Sequence, residues 1–474
     1  MARNGRRRSS ATARQEAAAG KPLRAVLFGP GVVAGPAAAH AAGGLPPAGR
    51  TPDAGDALEA RPPRPLPGAL RLLRQLRAAG VGTALFSAGR AAAVLATGGL
   101  SGLFDAVLQD SDRARGGLRG EPDPDLLIET ASALGVAPGE AAVVEASATG
   151  VAAAVTGGFG QIVGVDRRGE GEHLRAAGAT LVVGDPAELR LTPARSLAVQ
   201  TLAAVPSAWE HLEAIRAALR GRRLLVCLDY DGTLTPIVAD HARALLGEAM
   251  RAAVERLARR CAVAIVSGRD LALLRRLVPV EGVVFAGSHG FEIAAADGSF
   301  APIERGVEFL PELDAAEQAL RAALAGIAGH SVERKRFSIA VHYRQVARAD
   351  EPALHAAVAA ALRAHPRLRR GLGKKVVELQ PDLPWDKGEA VLWIAERLGF
   401  AAADAATVYL GDDITDEHAF RVLAGRGLSV VVRSADARPT AADYAVADTA
   451  EVQRFLELLG AIAAAQGGPG GAAP

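Results

Sequence analysis

Two aspartates emerge directly after a short apolar run near the middle of the chain. Residues 224–228 read Leu-Leu-Val-Cys-Leu, and Asp229, Asp231 and Gly232 follow, with one tyrosine between the two acids. A run of this kind, bounded by polar turn residues, is typical of a buried strand. Two carboxylates at the end of a buried strand can act as a nucleophile and an acid/base beside a metal ion. Because Asp-Gly turns are common, an ordinary tight turn is the alternative interpretation of this pair.

Short apolar runs alternate with amphipathic helical patterns along two long stretches of the chain. Alternation of this kind is typical of an α/β fold, in which helices cover a parallel sheet. We therefore predict two tandem Rossmann-like domains, one at 23–200 and one formed by 201–290 and 382–462. A change of pattern at 291–381 predicts an α+β cap inserted into the second domain. In such sheets ligands bind beyond the carboxyl ends of the strands, so functional residues are expected there.

The composition narrows the range of partners and compartments. Half of the 474 residues are apolar, which is ample for sizeable cores, and the formal net charge of +2 is too small to favour nucleic acid or a membrane surface. The two cysteines, Cys227 and Cys261, lie in predicted buried strands, so a cytoplasmic protein without a disulfide framework is expected. Arginine-rich residues 1–22 and glycine-rich residues 463–474 are predicted to be flexible tails. For the first tail, an electrostatic tether to an acidic partner is the alternative.

Three further polar segments follow apolar runs or begin helical patterns. They are Ser267-Gly268-Arg269 after the run 262–266, Lys387 at the start of a predicted helix, and Asp412, Asp413 and Asp416 after the run 408–410. A serine at a strand end can hold phosphoryl oxygens together with nearby backbone N–H groups, and a lysine can neutralise their charge. Clustered carboxylates favour a bound cation, and oxygen ligands suit Mg²⁺. Taken singly, each segment has an ordinary alternative: a helix N-cap, a surface lysine and a solvated acidic loop.

The four segments together, in this order, resemble the motifs of the haloacid dehalogenase superfamily of phosphohydrolases. The resemblance implies hydrolysis of a phosphate ester through an aspartyl-phosphate, with Asp229 as the nucleophile and Asp231 as the acid/base. It implies Mg²⁺ as the cofactor, held by Asp229, the backbone carbonyl of Asp231, and Asp412. It also implies residues around the phosphoryl group and behind the metal ligands. These are Ser267, Gly268, Arg269 and Lys387 at the phosphate, and Asp413 and Asp416 behind the metal, with Asp416 orienting Lys387.

Three stretches around the predicted cap resemble the trehalose-6-phosphate phosphatase family within that superfamily. They are 287–292 (Gly-Ser-His-Gly-Phe-Glu), 332–344 with its Glu-Arg-Lys and Val-His-Tyr-Arg segments, and 375–381 (Lys-Val-Val-Glu-Leu-Gln-Pro). The resemblance implies conversion of trehalose 6-phosphate and water to trehalose and inorganic phosphate, the last step of trehalose biosynthesis. Charged side chains suit a disaccharide, whose hydroxyls both donate and accept hydrogen bonds. The residues expected to bind the sugar are His289, Glu333, Lys335, His342 and Glu378.

Alternatives remain for the sugar-binding residues and for the function as a whole. Glu333 and Lys335 could form a surface ion pair of little energetic value, and His342 could be a half-buried strand residue. Arg334 departs from the family, which often has a small polar residue at that position. The alternative functions are a related phosphatase for sucrose 6-phosphate or mannosyl-3-phosphoglycerate, and a non-catalytic sugar-phosphate sensor. In each case the expected partner is a small molecule, with no nucleic acid and no membrane.

The first predicted domain resembles the β-phosphoglucomutase-like branch of the same superfamily, with most of its polar motif residues replaced. Gly29 and Gly31 stand where the two aspartates belong, Glu121 replaces the lysine, and Ala146 replaces a metal-binding aspartate, although Ser87 keeps the second motif. Because the loss of one such group can cost orders of magnitude in rate, we expect an inactive domain. Its predicted role is packing or solubility, with an effector- or protein-binding module as the alternative.

Overall fold

A computed structural model describes two compact units of this chain. It covers residues 21–35, 64–87, 95, 100–109, 117–119, 121–167, 169–238, 244–295, 302–373 and 375–466. The first unit ends at Gln200 and the second begins at Thr201. The predicted basic tail, apart from its last two residues, and the end of the predicted C-terminal tail lie outside the described residues.

A six-stranded parallel sheet forms the centre of the first unit. The strands of this unit are β1 (Ala25–Phe28), β2 (Ala34–Gly35), β3 (Arg64–Pro65), β4 (Gly82–Ser87), β5 (Ala106–Gln109), β6 (Ala141–Glu145), β7 (Gln161–Val165), β8 (Leu181–Val183), β9 (Leu189–Leu191) and β10 (Leu197–Val199). The sheet has the order β5-β4-β1-β6-β7-β8, and every neighbouring pair is parallel. The central strands β1 and β6 are wholly buried, as expected of short apolar runs in a covered parallel sheet.

Helices pack against both faces of this sheet. They are α1 (Pro30–Val33), α2 (Pro67–Ala78), α3 (Asp125–Ala133), α4 (Ala148–Thr156) and α5 (Gly171–Ala176). One core cluster joins Leu73 of α2 to Val26 of β1, and another joins Leu127 of α3 to Leu27 of β1. Neighbouring residues of β1 therefore enter opposite layers, as the two-residue side-chain period of a strand requires.

An eight-stranded sheet carries the second unit, and a separate four-stranded sheet forms its cap. The strands are β11 (Arg223–Leu228), β12 (Ala262–Val266), β13 (Val283–Gly287), β14 (Glu292–Ala295), β15 (Ile303–Glu304), β16 (Ser331–Lys335), β17 (Ser338–His342), β18 (Leu368–Gly373), β19 (Val376–Pro381), β20 (Ala405–Gly411), β21 (Leu428–Val432) and β22 (Tyr444–Val446). The larger sheet has the order β15-β14-β13-β12-β11-β20-β21-β22. At one end of this sheet, β13 pairs with β14 and β14 with the edge strand β15 in antiparallel fashion, and the other pairs are parallel.

The predicted boundary between core and cap is wrong at the edge of the larger sheet. Residues 291–381 were assigned to the cap, but β14 and β15 extend the core sheet instead. A short turn at Ser288–Gly290 leads directly from β13 into β14, and this makes the two strands antiparallel neighbours. The sequence pattern of a short apolar strand does not specify which sheet it joins, because it reports burial and not the pairing partner.

The helices of the second unit alternate with the strands of its main sheet and cover one face of its cap. They are α6 (Leu212–Leu219), α7 (Glu248–Ala258), α8 (Leu271–Leu277), α9 (Leu310–Leu324), α10 (Glu351–Ala364), α11 (Lys387–Arg397), α12 (Glu417–Leu423) and α13 (Thr449–Ala465). The last of them includes residues 463–465, which were predicted to belong to a flexible tail. They are helical because Leu459 and Ala463 of α13 pack into the main core of this unit.

The cap has one apolar face and one polar face. Its antiparallel sheet has the order β16-β17-β19-β18, and Leu320 of α9 and Val358 of α10 pack with Val341 and Leu379 of the sheet. Side chains alternate along a strand, so the residues between the apolar ones face the other way. Glu333, Ala340 and Glu378 lie in register across β16, β17 and β19 and belong to this second face. The second unit is therefore an α/β domain with an inserted α+β cap, as predicted.

The composition predicts no membrane partner and no disulfide framework. Among the described residues, no helix is both long and apolar enough to cross a membrane. Cys227 and Cys261 are both buried free thiols and form no disulfide. Burial raises the pKa of Cys261 to about 12, so this thiol stays protonated at neutral pH and is a packing residue and not a reactive one.

Candidate active site

The carboxyl ends of three neighbouring strands bring several predicted site residues together. Strands β12, β11 and β20 are adjacent and parallel, and Ser267, Asp229 and Asp412 each come directly after one of them. All three side chains are buried. Asp386 caps helix α11 through its carboxylate, and Lys387 therefore begins that helix. These residues share the edge of the sheet at which α/β folds bind ligands.

Lys387 bridges two buried carboxylates. Its Nζ donates to Oδ1 of Asp229 at 2.7 Å and to Oδ1 of Asp416 at 2.8 Å. Burial works against the charged ammonium, but Asp229 and Asp416 outweigh this effect and raise the pKa of Lys387. The lysine therefore keeps its positive charge between the two carboxylates. Helix α11 carries it to this position even though a cation at a helix N-terminus opposes the helix dipole.

The carboxylate of Asp416 is held by four donors. Its Oδ1 accepts hydrogen bonds from Lys387 and, at 2.7 Å, from the hydroxyl of Tyr409. Its Oδ2 accepts the backbone N–H groups of Asp412 and Asp413, each at 2.9 Å. Asp413 in turn forms a capping box with Asp416 around the turn Ile414–Asp416. The two aspartates predicted to lie behind the metal ligands thus shape the turn that presents Asp412.

The residues present fit a divalent cation. One carboxylate oxygen each of Asp229, Asp412 and Asp416 lies within 4.8 Å of the other two, and all three residues are buried. Lys387 forms ion pairs with Asp229 and Asp416, and its one positive charge offsets only part of the formal negative charge of the three carboxylates. Burial raises the pKa of Asp229 well above its ordinary value, and Asp416 and Asp412 add to this effect while Lys387 opposes it. A cation such as Mg²⁺ supplies the missing positive charge and prefers oxygen ligands of this kind.

The turn after β11 contains a glycine, Gly232, that leaves room for the carboxyl group of Asp412. Gly232 has φ +81°, and a Cβ atom built on it would lie 2.3 Å from the carboxyl carbon of Asp412. Only glycine allows both this backbone conformation and this approach. Both oxygens of Asp416 already accept hydrogen bonds, so the members of the cluster available to a metal are Asp229 and Asp412. The backbone carbonyl of Asp231, beside Gly232, is the remaining predicted ligand.

Asp231 is paired with Arg269. The guanidinium donates from Nε to Oδ2 at 2.7 Å and from Nη2 to Oδ1 at 2.6 Å, which is a bidentate geometry. Arg269 is predicted from the sequence to bind phosphate, but in the structure its guanidinium holds Asp231, the predicted acid/base. The Cζ atom of Arg269 also lies 5.3 Å from the centre of the Tyr230 ring, which adds a cation–π contact.

Two backbone hydrogen bonds join the segment after β12 to the turn after β13. The backbone N–H of His289 donates to the carbonyl of Ser267 at 2.8 Å, and that of Ser288 donates to the carbonyl of Arg269 at 2.7 Å. Ser288 and His289 have φ values of 48° and 58°, a left-handed conformation that non-glycine residues rarely adopt. A Cβ atom on Gly268 would lie 2.7 Å from the His289 ring, so this glycine lets the imidazole lie directly on the predicted phosphate loop.

Three of the predicted sugar-binding residues form one buried polar cluster. Oε1 of Glu378, in the cap, accepts a hydrogen bond from Nζ of Lys335 at 2.7 Å. Nε2 of His289 lies 3.0 Å from the other carboxylate oxygen, Oε2. Gln380 donates to the same Oε2 at 2.6 Å. Burial disfavours the charge of Glu378, but Lys335 and His289 outweigh it and hold the pKa of Glu378 well below its ordinary value. His289 thereby connects the core of the unit to the polar face of its cap.

The other predicted sugar-binding residues form a second pair on the same sheet. Nε2 of His342 lies 2.8 Å from Oε2 of Glu333, whose side chain is 52% exposed. Arg334 donates to Asp314 of helix α9 at 2.9 Å and lies on the helix-covered side of the cap sheet. The departure from the family at Arg334 therefore contacts a cap helix and leaves the polar face formed by its neighbours unchanged.

Two polar residues near the site, Tyr409 and Arg438, were not anticipated from the sequence. Tyr409 donates to Asp416 from within β20, and Arg438 donates to the backbone carbonyl of Asp412 at 2.9 Å while pairing with Glu417. A tyrosine in the middle of an apolar run was the available signal for the first, because a buried hydroxyl needs a partner. No local pattern identifies Arg438, since it reaches Asp412 from a segment 26 residues away.

The corresponding edge of the first unit is filled by Glu145. This residue ends β6, is 5% exposed, and accepts the backbone N–H groups of Ala146 and Ser147 on Oε1 at 2.8 and 3.0 Å. A Cβ atom on Gly29 would lie 1.7 Å from its Oε2. The carboxyl therefore occupies the space that a side chain at position 29 would need. Burial raises the pKa of Glu145 to about 7. Ser87 ends β4, and the rest of its predicted motif lies outside the described residues.

Comparison with known proteins identifies the family. Residues 227–450 match the trehalose-phosphatase family, and residues 13–158 match haloacid dehalogenase-like hydrolases. A trehalose-phosphate phosphatase of Mycobacterium bovis (strain BCG / Pasteur 1173P2) is 40% identical over 338 residues, which cover 71% of this chain and 85% of that protein. The chain belongs to the trehalose-phosphatase family.

Other relatives of this trehalose-phosphatase family member differ in length. A trehalose-phosphate phosphatase of Mycobacterium ulcerans (strain Agy99) is 37% identical over 391 residues, or 82% of this chain and 92% of that protein. An uncharacterised glycosyl hydrolase of Mycobacterium tuberculosis (strain CDC 1551 / Oshkosh) is 40% identical over 392 residues, but the chain spans only 29% of that protein. Among solved structures, the C-terminal domain of the C. albicans trehalose-6-phosphate phosphatase aligns with 54% of this chain and 98% of its own length, at 23% identity and a TM-score of 0.47.

Proposed function

We propose that this protein hydrolyses trehalose 6-phosphate to trehalose and inorganic phosphate, with Mg²⁺ as its cofactor. The observation that carries the proposal is the buried Lys387 ammonium, 2.7 Å from Asp229 and 2.8 Å from Asp416, at the carboxyl edge of the sheet. The polar face of the cap is linked to this edge through His289. Membership of the trehalose-phosphatase family supports the choice of substrate.

In the proposed reaction, a carboxylate oxygen of Asp229 attacks the phosphorus, and the bond between phosphorus and the sugar oxygen breaks. Asp231 donates a proton to that oxygen, so trehalose leaves as a neutral alcohol. Water then attacks the phosphorus of the aspartyl-phosphate, Asp231 accepts a proton from this water, and the bond to Asp229 breaks to release phosphate. Because both oxygens of Asp231 accept hydrogen bonds from Arg269, at least one of these hydrogen bonds must break for each proton transfer.

The remaining core residues bind and neutralise the phosphoryl group. Asp229, Asp412 and the backbone carbonyl of Asp231 would hold Mg²⁺, which when bound supplies positive charge next to the phosphoryl oxygens. Lys387 places its ammonium beside the attacking carboxylate and stabilises negative charge that develops there. Ser267 and Gly268 lie at the end of β12, where a hydroxyl and backbone N–H groups can hold phosphoryl oxygens.

The polar face of the cap would bind the sugar. Glu378 and Lys335 orient each other, and His289 holds the second oxygen of Glu378, so the remaining hydrogen-bonding capacity of this pair is directed before the substrate arrives. Glu333 and His342 form the more exposed part of this face. Preorganised groups of this kind lower the entropic cost of binding a flexible disaccharide.

The test is phosphate release from a panel of sugar phosphates, measured with Mg²⁺ and with EDTA. We expect a strong preference for trehalose 6-phosphate and loss of activity in EDTA, restored by added Mg²⁺. Comparable rates on sucrose 6-phosphate or mannosyl-3-phosphoglycerate would reject the substrate while leaving the aspartate mechanism standing. No release from any ester would favour the sugar-phosphate sensor instead.

Replacement of the nucleophile is the matching test of the mechanism. Asp229→Asn keeps the size of the side chain but removes the attacking carboxylate, so turnover should fall by at least about 10⁴-fold, as when other catalytic groups are removed. Asp404→Asn is the control, because Asp404 forms an exposed ion pair with Arg223 and its loss should change the rate less than about twofold. Near-normal activity of Asp229→Asn would show that the nucleophile is misassigned.

A further inference from the structure

One fully buried hydroxyl lies directly behind the candidate site. Tyr409 occupies the middle of β20, between Val408 and Leu410, whose side chains enter the main core of the unit. Since side chains alternate along a strand, Tyr409 points to the opposite face of the sheet. Its exposure is 0%, and the ring of Phe420 packs edge-on against it with centroids 5.8 Å apart. This packing fixes the direction in which the hydroxyl points.

The hydroxyl of Tyr409 donates to the oxygen that also anchors the site lysine. It lies 2.7 Å from Oδ1 of Asp416, and Nζ of Lys387 lies 2.8 Å from the same atom. Burial, together with the charges of Asp416 and Asp229, raises the pKa of Tyr409 well above its ordinary value, so the phenol keeps the proton that it donates. The other oxygen of Asp416 is committed to backbone N–H groups, so rotation of the carboxylate would break several bonds at once.

We propose that Tyr409 is a positioning residue for phosphoryl transfer, whose hydroxyl fixes the Asp416 carboxylate and, through it, the Lys387 ammonium that faces Asp229. This inference rests on the proposed phosphatase function. Without the hydroxyl, Lys387 remains as the side-chain donor to Oδ1 of Asp416 among the described residues, and this oxygen draws the ammonium toward itself. An ammonium displaced from Asp229 stabilises the transferring group less well. The loss should therefore fall on the chemical step and not on the binding of substrate.

The test compares the full-length wild type with Tyr409→Phe at saturating Mg²⁺, on whichever phosphate ester the wild type hydrolyses fastest. Phenylalanine keeps the ring and its packing and removes only the oxygen atom. We expect kcat to fall about 10- to 100-fold, the range seen when groups that orient site residues are removed, with KM within about threefold. Tyr444→Phe is the matched control, because it removes the hydroxyl of a partly exposed tyrosine in β22, and it should leave kcat within about twofold.

A crystal structure of Tyr409→Phe provides a second readout. We expect Nζ of Lys387 to lie farther from Asp229 than the 2.7 Å of the wild type while the backbone of β20 stays in place. An unchanged kcat, a loss confined to KM, or an unmoved Lys387 would each overturn the inference. Failure of the variant to fold would also overturn it, since the hydroxyl would then serve folding.

The outcome for Tyr409 is separable from the outcome for the proposed function. A wild type that prefers an ester other than trehalose 6-phosphate would reject the proposed substrate but leave the comparison of the two proteins intact. A wild type that hydrolyses no phosphate ester would overturn both.

Discussion

Glu145 and Glu378 have the same side chain, but their surroundings shift its pKa in opposite directions. Both are almost fully buried, and burial alone disfavours the charged form of each. Around Glu145 the backbone N–H groups of Ala146 and Ser147 offset burial only in part, and its pKa is raised to about 7. Around Glu378, Lys335 and His289 outweigh burial, and the low pKa of Glu378 keeps its carboxylate charged. A carboxyl with a raised pKa fills the edge of the first unit, whereas a charged carboxylate lies at the candidate site of the second.

The raised pKa of Glu145 predicts a pH-dependent stability of the first unit. The folded value is about 7 against 4.5 for the free group, so the folded unit binds the proton more tightly than the unfolded chain. The stabilisation is complete below pH 4.5 and is lost as the pH rises through 7, by roughly 3 kcal/mol in total. Thermal unfolding at pH 5 and pH 8 should show the unit less stable at pH 8.

Glu145→Gln isolates the contribution of this carboxyl to stability. Glutamine is neutral at every pH, so the variant should be more stable than the wild type at pH 8, and this advantage should shrink at pH 5. Glu129→Gln on the exposed side of α3 is the control and should follow the wild type at both pH values. An advantage of Glu145→Gln that is independent of pH would mean that Glu145 is ionised in the folded protein throughout.

At the scale of elements, the turn after β20 depends on a distant segment for its shape. Residues 412–417 contain four acidic side chains, which repel one another unless cations hold them. On one side of the turn, Lys387 forms an ion pair with Asp416. On the other side, Arg438 donates to the backbone carbonyl of Asp412 and forms an ion pair with Glu417. The backbone N–H of Ala441 adds a hydrogen bond to Glu417 at 2.8 Å. The turn that presents a predicted metal ligand is therefore held by two separate parts of the chain.

Removal of the Arg438 side chain should weaken metal binding. In Arg438→Ala the carbonyl of Asp412 loses the hydrogen bond from Arg438, and Glu417 loses its ion pair with Arg438, so the Mg²⁺ concentration for half-maximal activity should rise about tenfold or more. A Mg²⁺ titration of phosphatase activity measures this effect. Arg454→Ala removes an arginine whose side chain is 60% exposed and should leave the titration unchanged. An unchanged Mg²⁺ requirement in Arg438→Ala would show that the turn holds its shape without this residue.

The two faces of the cap sheet predict different effects of removing acidic residues. Glu333→Ala alters the polar face and should raise KM for trehalose 6-phosphate about tenfold, equivalent to about 1.4 kcal/mol of binding. Hydrolysis of p-nitrophenyl phosphate, which lacks the sugar, should change less than about threefold. Asp314→Ala removes the partner of Arg334 on the helix-covered side, and neither substrate should be affected appreciably. Equal losses on both substrates would place Glu333 outside the sugar site.

At the scale of the whole molecule, each unit has what an independent domain requires. The first unit packs its sheet into two apolar clusters of its own, and the second has separate clusters for its core and its cap. The residues that carry the proposed chemistry all lie in the second unit. In the first, Gly29, Gly31 and Ala146 lack the carboxylates that the superfamily uses, and Glu145 fills the space beside Gly29.

The division of the chain predicts where activity resides. A protein containing residues 201–474 should fold alone and keep kcat within about threefold of the full chain, because domains with their own cores are in general able to fold independently. A protein containing residues 1–200 should fold but release no phosphate. Circular dichroism and the phosphate-release assay test both pieces. Loss of activity in a well-folded second unit would assign the first unit a part in catalysis.

Much of the fold and part of the candidate site could be predicted from local sequence. Buried strands followed by polar turns are visible as short apolar runs, and the strand 262–266 was located to the residue, with 224–228 one residue short at its start. Since parallel strands present their carboxyl ends at one edge, residues 229, 267 and 412 could be expected to meet. The assignment of β14 and β15 to the cap was wrong because periodicity carries no information about the sheet that a strand joins.

By itself the sequence determined the alternation of strands and helices, the order of the polar segments along the second unit, and the replacement of motif residues in the first. These are properties of neighbouring residues, and they depend on side-chain period and turn chemistry. Only the tertiary structure decided that Arg269 holds Asp231, that Tyr409 and Lys387 share one oxygen of Asp416, and that Arg438 supports Asp412. Each of these contacts joins atoms from separate elements. Their distances follow from how the elements pack, which no local pattern of residues records.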